Sequence, residues 1–110
     1  MTLEKSGDVF VMVLIGESLD ESNATEFKRD VASVLESDRK LVLDLSKLQF
    51  VDSSGLGAIL SCLRQLNSAG GDLKLCSIGR PVRALVELVR MHRIFEIFNT
   101  REEAIRAYAN

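Results

Sequence analysis

The chain is poor in the residues that build metal centres and disulfide frameworks. Its 110 residues include only two cysteines and one histidine. Cys62 and Cys76 lie in apolar surroundings, outside any CxxC spacing, so we expect two buried thiols rather than a disulfide or a zinc site. The acidic residues are scattered without the spacing of metal ligands. No metal and no other cofactor is therefore expected.

Long hydrophobic runs and an excess of positive charge are also missing. No apolar run approaches the ~20 residues that a membrane-spanning helix needs. The first eight residues, MTLEKSGD, contain no apolar signal segment. The formal net charge of −2 provides no basic field for a phosphate backbone. We therefore expect a cytoplasmic protein with neither membrane nor nucleic acid among its partners.

The residues that catalysis would need are scarce as well. A serine nucleophile requires a base within hydrogen-bond reach, but the only histidine, His92, is far from the serines along the chain. We predict that His92 is a partly exposed residue at a helix end. The hydrolase elbow needs glycine two positions before and two positions after the serine. Gly55 follows Ser53 at that distance, but Val51 precedes it, so the chain is not expected to be an enzyme.

What the chain does contain is a globular composition with alternating strand and helix patterns. Hydrophobic residues make up 46% and charged residues 27%, which suits one domain over residues 1–110 with its own core. The predicted order is β-β-α-β-α-β-α-β-α, with a polar loop over 17–22. Helices of crossover length between strands predict an α/β fold with parallel pairs in the sheet. The predicted strands cover residues 2–5, 9–15, 41–45, 72–78 and 94–98.

Four helices are predicted from apolar periodicity and from capping signals. The first begins at Asn23, with Glu26 as its capping-box partner, and closes within 37–40. The last begins at Thr100, with Glu103 completing a second capping box. The residues predicted to face inward from the four helices are, in chain order, Phe27, Val31, Val34, Leu35, Leu56, Ile59, Leu60, Leu63, Leu66, Val82, Leu85, Val86, Val89, Ala104, Ile105 and Tyr108.

The stretch 41–66 joins a strand to a helix through the turn Asp52-Ser53-Ser54-Gly55. A polar segment between two buried elements must lie at the surface. Aspartate and serine are common helix N-caps that contribute about 1 kcal/mol, so one interpretation of the turn is purely structural. The other is a phosphorylation switch, because a phosphoserine carries about −1.5 to −2 charges. The helix dipole would tolerate that charge, whereas Asp52 and an acidic or apolar partner surface would oppose it.

Other interpretations of the same stretch stay open. The run Ser54-Gly55-Leu56-Gly57 at a helix start can bind an anion through backbone N–H groups, although GxxxxGK[ST] is missing and Asp52 adds negative charge. Asp52 also follows a strand, as the phosphoacceptor of a receiver domain does. The acidic pair and the lysine of receivers are missing, however. Leu56 is either the first core residue of the helix or an exposed apolar contact for a partner.

The run LDLSKLQFVDSSGLGAIL, residues 43–60, resembles the signature of the bacterial anti-anti-sigma factors, the stand-alone STAS domains. The matching positions are Leu48, Phe50, Val51, Asp52, Ser53, Ser54, Gly55, Leu56 and Gly57. The resemblance covers essentially the whole chain, since the element order, Gly70-Gly71 and the closing strand and helix also agree. It implies a single STAS-like domain, a mixed sheet and helices packed mainly on one face.

The resemblance also implies an anti-sigma factor antagonist that works by partner switching. Its phosphoacceptor is Ser53, the serine directly after the aspartate. The unphosphorylated form binds an ATP-binding serine kinase that is also an anti-sigma factor, and this binding frees the sigma factor. Phosphorylation by that kinase switches binding off, and a PP2C-type phosphatase restores it. The free protein is expected to be a monomer.

The partner contacts that the resemblance implies are Asp20, Asp52, Ser54, Gly55, Leu56 and Gly57. Asp20 corresponds to an acidic residue in the family's G-E-L-D pattern, but Gly16-Glu17-Ser18-Leu19-Asp20 is one residue longer. The two glycines have no side chains, so a partner can approach closely. A subunit of a transporter or stress-sensing complex remains an alternative, as does a partner-switching output that does not act through a sigma factor.

Overall fold

A five-stranded sheet lies at the centre of the computed structural model, which describes residues 2–35 and 40–109. In chain order the elements are β1 (Thr2–Ser6), β2 (Val9–Val13), β3 (Ser18–Leu19), α1 (Ala24–Leu35), β4 (Lys40–Asp44), β5 (Phe50–Val51), α2 (Ser53–Ser68), β6 (Asp72–Cys76), α3 (Arg80–Leu88), β7 (Glu96–Phe98) and α4 (Arg101–Ala109). A 3-10 turn over Met91–Arg93 connects α3 to β7. The predicted α/β fold with a mixed sheet is confirmed.

The strand order in the main sheet is β1-β2-β4-β6-β7. The strands β1 and β2 form an antiparallel hairpin, and the other three pairs are parallel. The hairpin turns at Gly7, whose φ of +62° suits a residue without a side chain. Since parallel strands point the same way, the carboxyl ends of β2, β4 and β6 lie along one edge of the sheet. The predicted phosphoacceptor, Ser53, is the first residue of α2, directly after the loops at that edge.

Alternation along β2 separates the core into two parts. Val9, Val11 and Val13 pack with α4, whereas Met12 and Leu14 belong to the larger core that α1, α2 and α3 cover. Successive side chains of a strand point to opposite faces of the sheet. Three of the four helices therefore lie on one face, as the resemblance implies, and α4 lies on the other.

Most of the residues predicted to face inward from the helices are buried or half-buried. Val89 is the exception, with 48% of its surface exposed, because α3 ends at Leu88 and Val89 is only its C-cap. The side chain of Leu35 and residues 37–39 of the predicted helix end fall outside the described residues, and Lys40 is the first residue of β4. Apolar periodicity therefore predicts which residues face the core within a helix, but it does not show where the helix ends.

Three predicted strands are longer than the observed ones. Ile15 follows the end of β2 and is 49% exposed, and Ile94 precedes β7 and is 55% exposed. Ser77 ends β6 with a φ of +62°, which is incompatible with an extended strand. In each case the apolar run continues beyond the residues that form ladder hydrogen bonds.

One of the two predicted capping boxes is present. The backbone N–H of Glu103 donates to Thr100 Oγ1, and the N–H of Thr100 donates to Glu103 Oε1, both at 3.1 Å. The capping box predicted for α1 is wrong. Asn23 Oδ1 accepts instead from the N–H of Asp20 at 2.8 Å, and Asn23 Nδ2 donates to the Ser18 carbonyl at 2.9 Å. Asn23 thus stabilises the loop that precedes the helix.

An ion pair between the half-buried Arg101 and the buried Asp44 attaches α4 to the central strand β4. The carboxylate of Asp44, a residue only 5% exposed, accepts from Arg101 Nη2 at 2.9 Å. It also accepts from the N–H of Ser46 at 2.9 Å. Burial alone would raise the pKa of Asp44, but the hydrogen bonds from Ser46 and Arg101 outweigh it and hold that pKa below its ordinary value.

Candidate functional site

Two loops at the carboxyl edge of the main sheet are joined by a second, two-stranded sheet. The strands β3 and β5 pair in parallel over two residues each. The N–H groups of Gln49 and Phe50 both donate to the Glu17 carbonyl, at 2.7 and 3.1 Å, and the N–H of Asp52 donates to the Leu19 carbonyl at 3.3 Å. The sequence predicts a polar loop over 17–22, and β3 within it was missed, because a two-residue strand has no alternation to detect.

Asp52 connects the two loops through both of its carboxylate oxygens. Its Oδ1 accepts from the N–H of Gly55 at 2.9 Å, which makes Asp52 the N-cap of α2. Its Oδ2 accepts from the N–H of Glu21 at 3.2 Å. The structural interpretation of the turn is therefore confirmed for Asp52. The carboxylate of Asp52 already occupies the N-terminus of α2, which disfavours the binding of a free anion there.

Ser53 and Ser54 occupy the first two positions of α2, and both are exposed. Among the described residues, neither hydroxyl makes a hydrogen bond to the protein. Because Asp52 provides the cap, both hydroxyls remain accessible from solvent. His92 is exposed in the 3-10 turn that follows α3. Because the hydroxyls of Ser53 and Ser54 are exposed, another protein can transfer a group to either of them.

Gly55 and Leu56, both predicted to contact a partner, are buried. A Cβ atom on Gly55 would lie 2.1 Å from the Leu19 carbonyl oxygen and 2.7 Å from Val51 Cγ2. This position thus requires glycine because the chain's own backbone approaches closely, a reason that the sequence did not reveal, and the predicted partner contact stays a prediction. Leu56 is only 6% exposed, so its interpretation as a core residue is confirmed. Gly57 is exposed, and a Cβ there would meet nothing within 4 Å.

A shallow depression next to the turn is lined by Asp20, Glu21, Ser22, Phe50 and Asp52. The carboxylate of Asp20 accepts from the Ser22 hydroxyl at 2.5 Å and from the Ser22 N–H at 2.9 Å. These hydrogen bonds hold the pKa of Asp20 below its ordinary value. The extra residue in the loop therefore leaves Asp20 on the same depression as Asp52. Three carboxylates line it, so it favours positively charged groups.

Phe50 is the surface residue that the sequence analysis missed as a candidate contact. It is 56% exposed, whereas its neighbour Val51 is only 2% exposed. Two adjacent residues of a strand cannot both face the core. Recognising Phe50 and Val51 as a strand would therefore have indicated that one of the two is exposed. The side chain of Phe50 therefore lies at the surface, on the depression that Asp52 also lines.

Metal sites and membrane spans were sought in the described ranges 2–35 and 40–109. Within them, no group of three or more His, Cys, Asp and Glu side chains could hold a metal ion. No helix formed by these residues has both the length and the apolar character to cross a membrane. Cys62 and Cys76 are buried and unbridged, and burial raises the pKa of each thiol to about 11.

Comparison with known proteins matches residues 1–104 to the STAS domain family. The chain is 30% identical over 109 residues to BtrV, a candidate anti-sigma factor antagonist of Bordetella bronchiseptica, covering 98% of the chain and 93% of that protein. It is 32% identical over 105 residues to the anti-sigma F factor antagonist of Paenibacillus polymyxa, covering 94% and 89%. The crystal structure of a candidate anti-sigma factor antagonist from Thermotoga maritima is similar, with a TM-score of 0.89, 28% identity and coverage of 99% and 94%. The chain therefore belongs to the STAS domain family.

Proposed function

We propose that this protein is an anti-sigma factor antagonist whose partner binding depends on the phosphorylation state of Ser53. The unphosphorylated form binds a serine kinase that is also an anti-sigma factor, and the sigma factor is released. The kinase then transfers the γ-phosphoryl group of ATP to the Ser53 hydroxyl, and the complex dissociates. A PP2C-type phosphatase hydrolyses the phosphoserine and restores binding. The observation that supports this best is the exposed Ser53 hydroxyl directly after an aspartate N-cap.

The geometry of the turn favours a substrate and binding partner over an enzyme. Asp52 is hydrogen bonded to Gly55 and to Glu21, so its carboxylate is already used in holding the two loops together. The nucleotide and the catalytic groups must therefore come from the kinase. Ser53 is preferred to Ser54 because it holds the position directly after the aspartate, which is the acceptor position that the family resemblance implies.

Phosphorylation would change the charge of the surface more than its structure. The phosphoryl group adds about −1.5 to −2 charges, and the N-terminus of α2 would stabilise them by about 0.3–1 kcal/mol. The fold should therefore persist. The added charge would lie beside the carboxylate of Asp52, and an acidic or apolar partner surface pressed against the turn would oppose it. Release of the partner follows from this opposition.

The remaining parts of the proposal concern the setting of the switch. We place the protein in the cytoplasm as a single domain that is a monomer when free. Asp20, Asp52, Ser54 and Gly57 lie at or next to the turn, and we propose that the partner contacts them there.

Intact-mass analysis after incubation with the purified kinase and ATP tests the proposal. The wild-type protein should gain one phosphoryl group, Ser53→Ala should gain none, and the matched control Ser54→Ala should behave as wild type. Ser53→Asp should lose affinity for the kinase while keeping the wild-type melting temperature, because the side chain is exposed. Persistent single phosphorylation of Ser53→Ala would reject Ser53 as the acceptor. Wild-type affinity of Ser53→Asp would reject the switch.

A further inference from the structure

We propose that Phe50 is the anchor by which this protein docks on the anti-sigma factor, and that the receiving surface is an apolar pocket bordered by cationic side chains. The inference rests on the proposed function and assigns a contact residue to it. Phe50 lies outside the set of contacts that the sequence predicts. Its role follows from its exposure, its fixed backbone and the charges around it.

Phe50 differs in kind from the other exposed hydrophobic side chains. In the described part of the chain, the remaining large hydrophobic residues with high exposure are aliphatic, namely Leu3, Ile15, Leu88, Val89 and Ile94. Aromatic side chains are enriched at protein interfaces because they bury a large area. Phe50 also lies three residues before Ser53. The ring lies on the depression that Asp52, the residue before Ser53, also lines, so we expect a kinase that reaches the Ser53 hydroxyl to contact it.

The backbone that carries Phe50 is fixed before any partner binds. Its N–H donates to the Glu17 carbonyl at 3.1 Å, and the N–H of Asp52 donates to the Leu19 carbonyl at 3.3 Å. Val51, between them, is buried in the main core. A phenylalanine has only two side-chain torsions, so little conformational entropy is lost when a partner holds the ring. Such preorganisation favours tight binding.

The surroundings of the ring specify the charge of the partner. The depression beside Phe50 is lined by Asp20, Glu21, Ser22 and Asp52, so three carboxylates and no cation flank the ring there. Complementary potentials across an interface speed association and exclude wrong partners. An anionic membrane or nucleic acid would be repelled. A protein surface with arginine or lysine around an apolar pocket fits both features.

Equilibrium binding to the purified anti-sigma factor with ADP tests the anchor. Phe50→Ala should bind at least about tenfold more weakly than wild type, as expected for a central aromatic contact, and Phe50→Leu should be intermediate. The matched control is Leu88→Ala, at a residue that is 77% exposed at the end of α3; it should bind within about twofold of wild type. Melting temperatures should show that all three variants are folded, because both side chains are largely exposed.

Association and dissociation rates test the charged border. The double variant Asp20→Asn, Glu21→Gln should associate more slowly than wild type and respond less to salt between about 50 and 300 mM. Phe50→Ala should mainly dissociate faster. The anchor would be overturned if Phe50→Ala bound within about twofold of wild type, or if Leu88→Ala lost as much affinity as Phe50→Ala. In either case, phosphorylation of the wild-type protein by the same kinase would still support the proposed function. Wild-type protein that neither bound nor was phosphorylated would overturn both.

Discussion

Replacing Gly55 with alanine should destabilise the protein by about 3 kcal/mol, although alanine is the better helix former. The new Cβ would lie 2.1 Å from the Leu19 carbonyl oxygen, and real Cβ atoms essentially never approach closer than 3.0 Å. The start of α2 and the Leu19 backbone must therefore separate by about 0.9 Å. The obstacle is backbone and cannot rotate away. Overpacking costs about 1–3 kcal/mol, and more where backbone must move, while the helix propensity of alanine returns at most about 1 kcal/mol.

Thermal and urea-induced unfolding measure the effect of this substitution. For a chain of 110 residues, an unfolding entropy of about 2.1 cal/mol/K per residue converts 3 kcal/mol into a melting temperature about 13 °C lower. Gly57→Ala is the matched control in the same helix, because its Cβ would meet nothing within 4 Å. It should raise stability by up to about 1 kcal/mol. Changes of the same sign and size in both variants would refute the reasoning from close approach.

Two further predictions concern buried groups. Burial raises the pKa of the Cys62 and Cys76 thiols to about 11, so in the folded protein at pH 8 roughly one thiol in a thousand is ionised. Both thiols should therefore react with Ellman's reagent at pH 8 only after urea unfolds the protein. Rapid colour release from the folded protein would contradict this. Asp44→Asn should lose about 1.5–3 kcal/mol at pH 7, because it removes a charge-assisted hydrogen bond to Arg101. The pKa of Asp44 is lowered in the folded state, so its stabilising effect is present above the ordinary carboxyl pKa and is lost as the pH falls through the lowered value. Urea unfolding at pH 7 and pH 3 should thus show the difference between the two proteins shrinking in acid, and a difference independent of pH would be contrary to the prediction.

Features that depend on neighbouring residues were predictable from the sequence. The N-cap at Asp52 and the capping box of Thr100 and Glu103 involve residues three positions apart, so residue type and spacing were enough to predict these two contacts. The parallel pairing of β4 with β6 followed from the helix between them.

Features that depend on distant residues were not predictable. The ladder between β3 and β5 and the contact of Gly55 with the Leu19 carbonyl join segments that only the folded chain brings together. Asn23 has the residue type of a helix cap, yet its side chain finds better-placed partners in the preceding loop. The exposure of Phe50 follows from the same ladder, since the strand register decides which of two apolar neighbours faces the core.

Because of the ladder between β3 and β5, the two states of the proposed switch differ in the phosphoryl group and not in the fold of the turn. The backbone on both sides of the turn is hydrogen bonded before Ser53 is modified, so neither adding nor removing the phosphoryl group requires a segment to fold. The state of the protein is then held in one covalent bond and not in a slow conformational change. Under the proposed function, the lifetime of each state is set by the kinase and the phosphatase, and the protein is ready to bind again as soon as the phosphoryl group leaves.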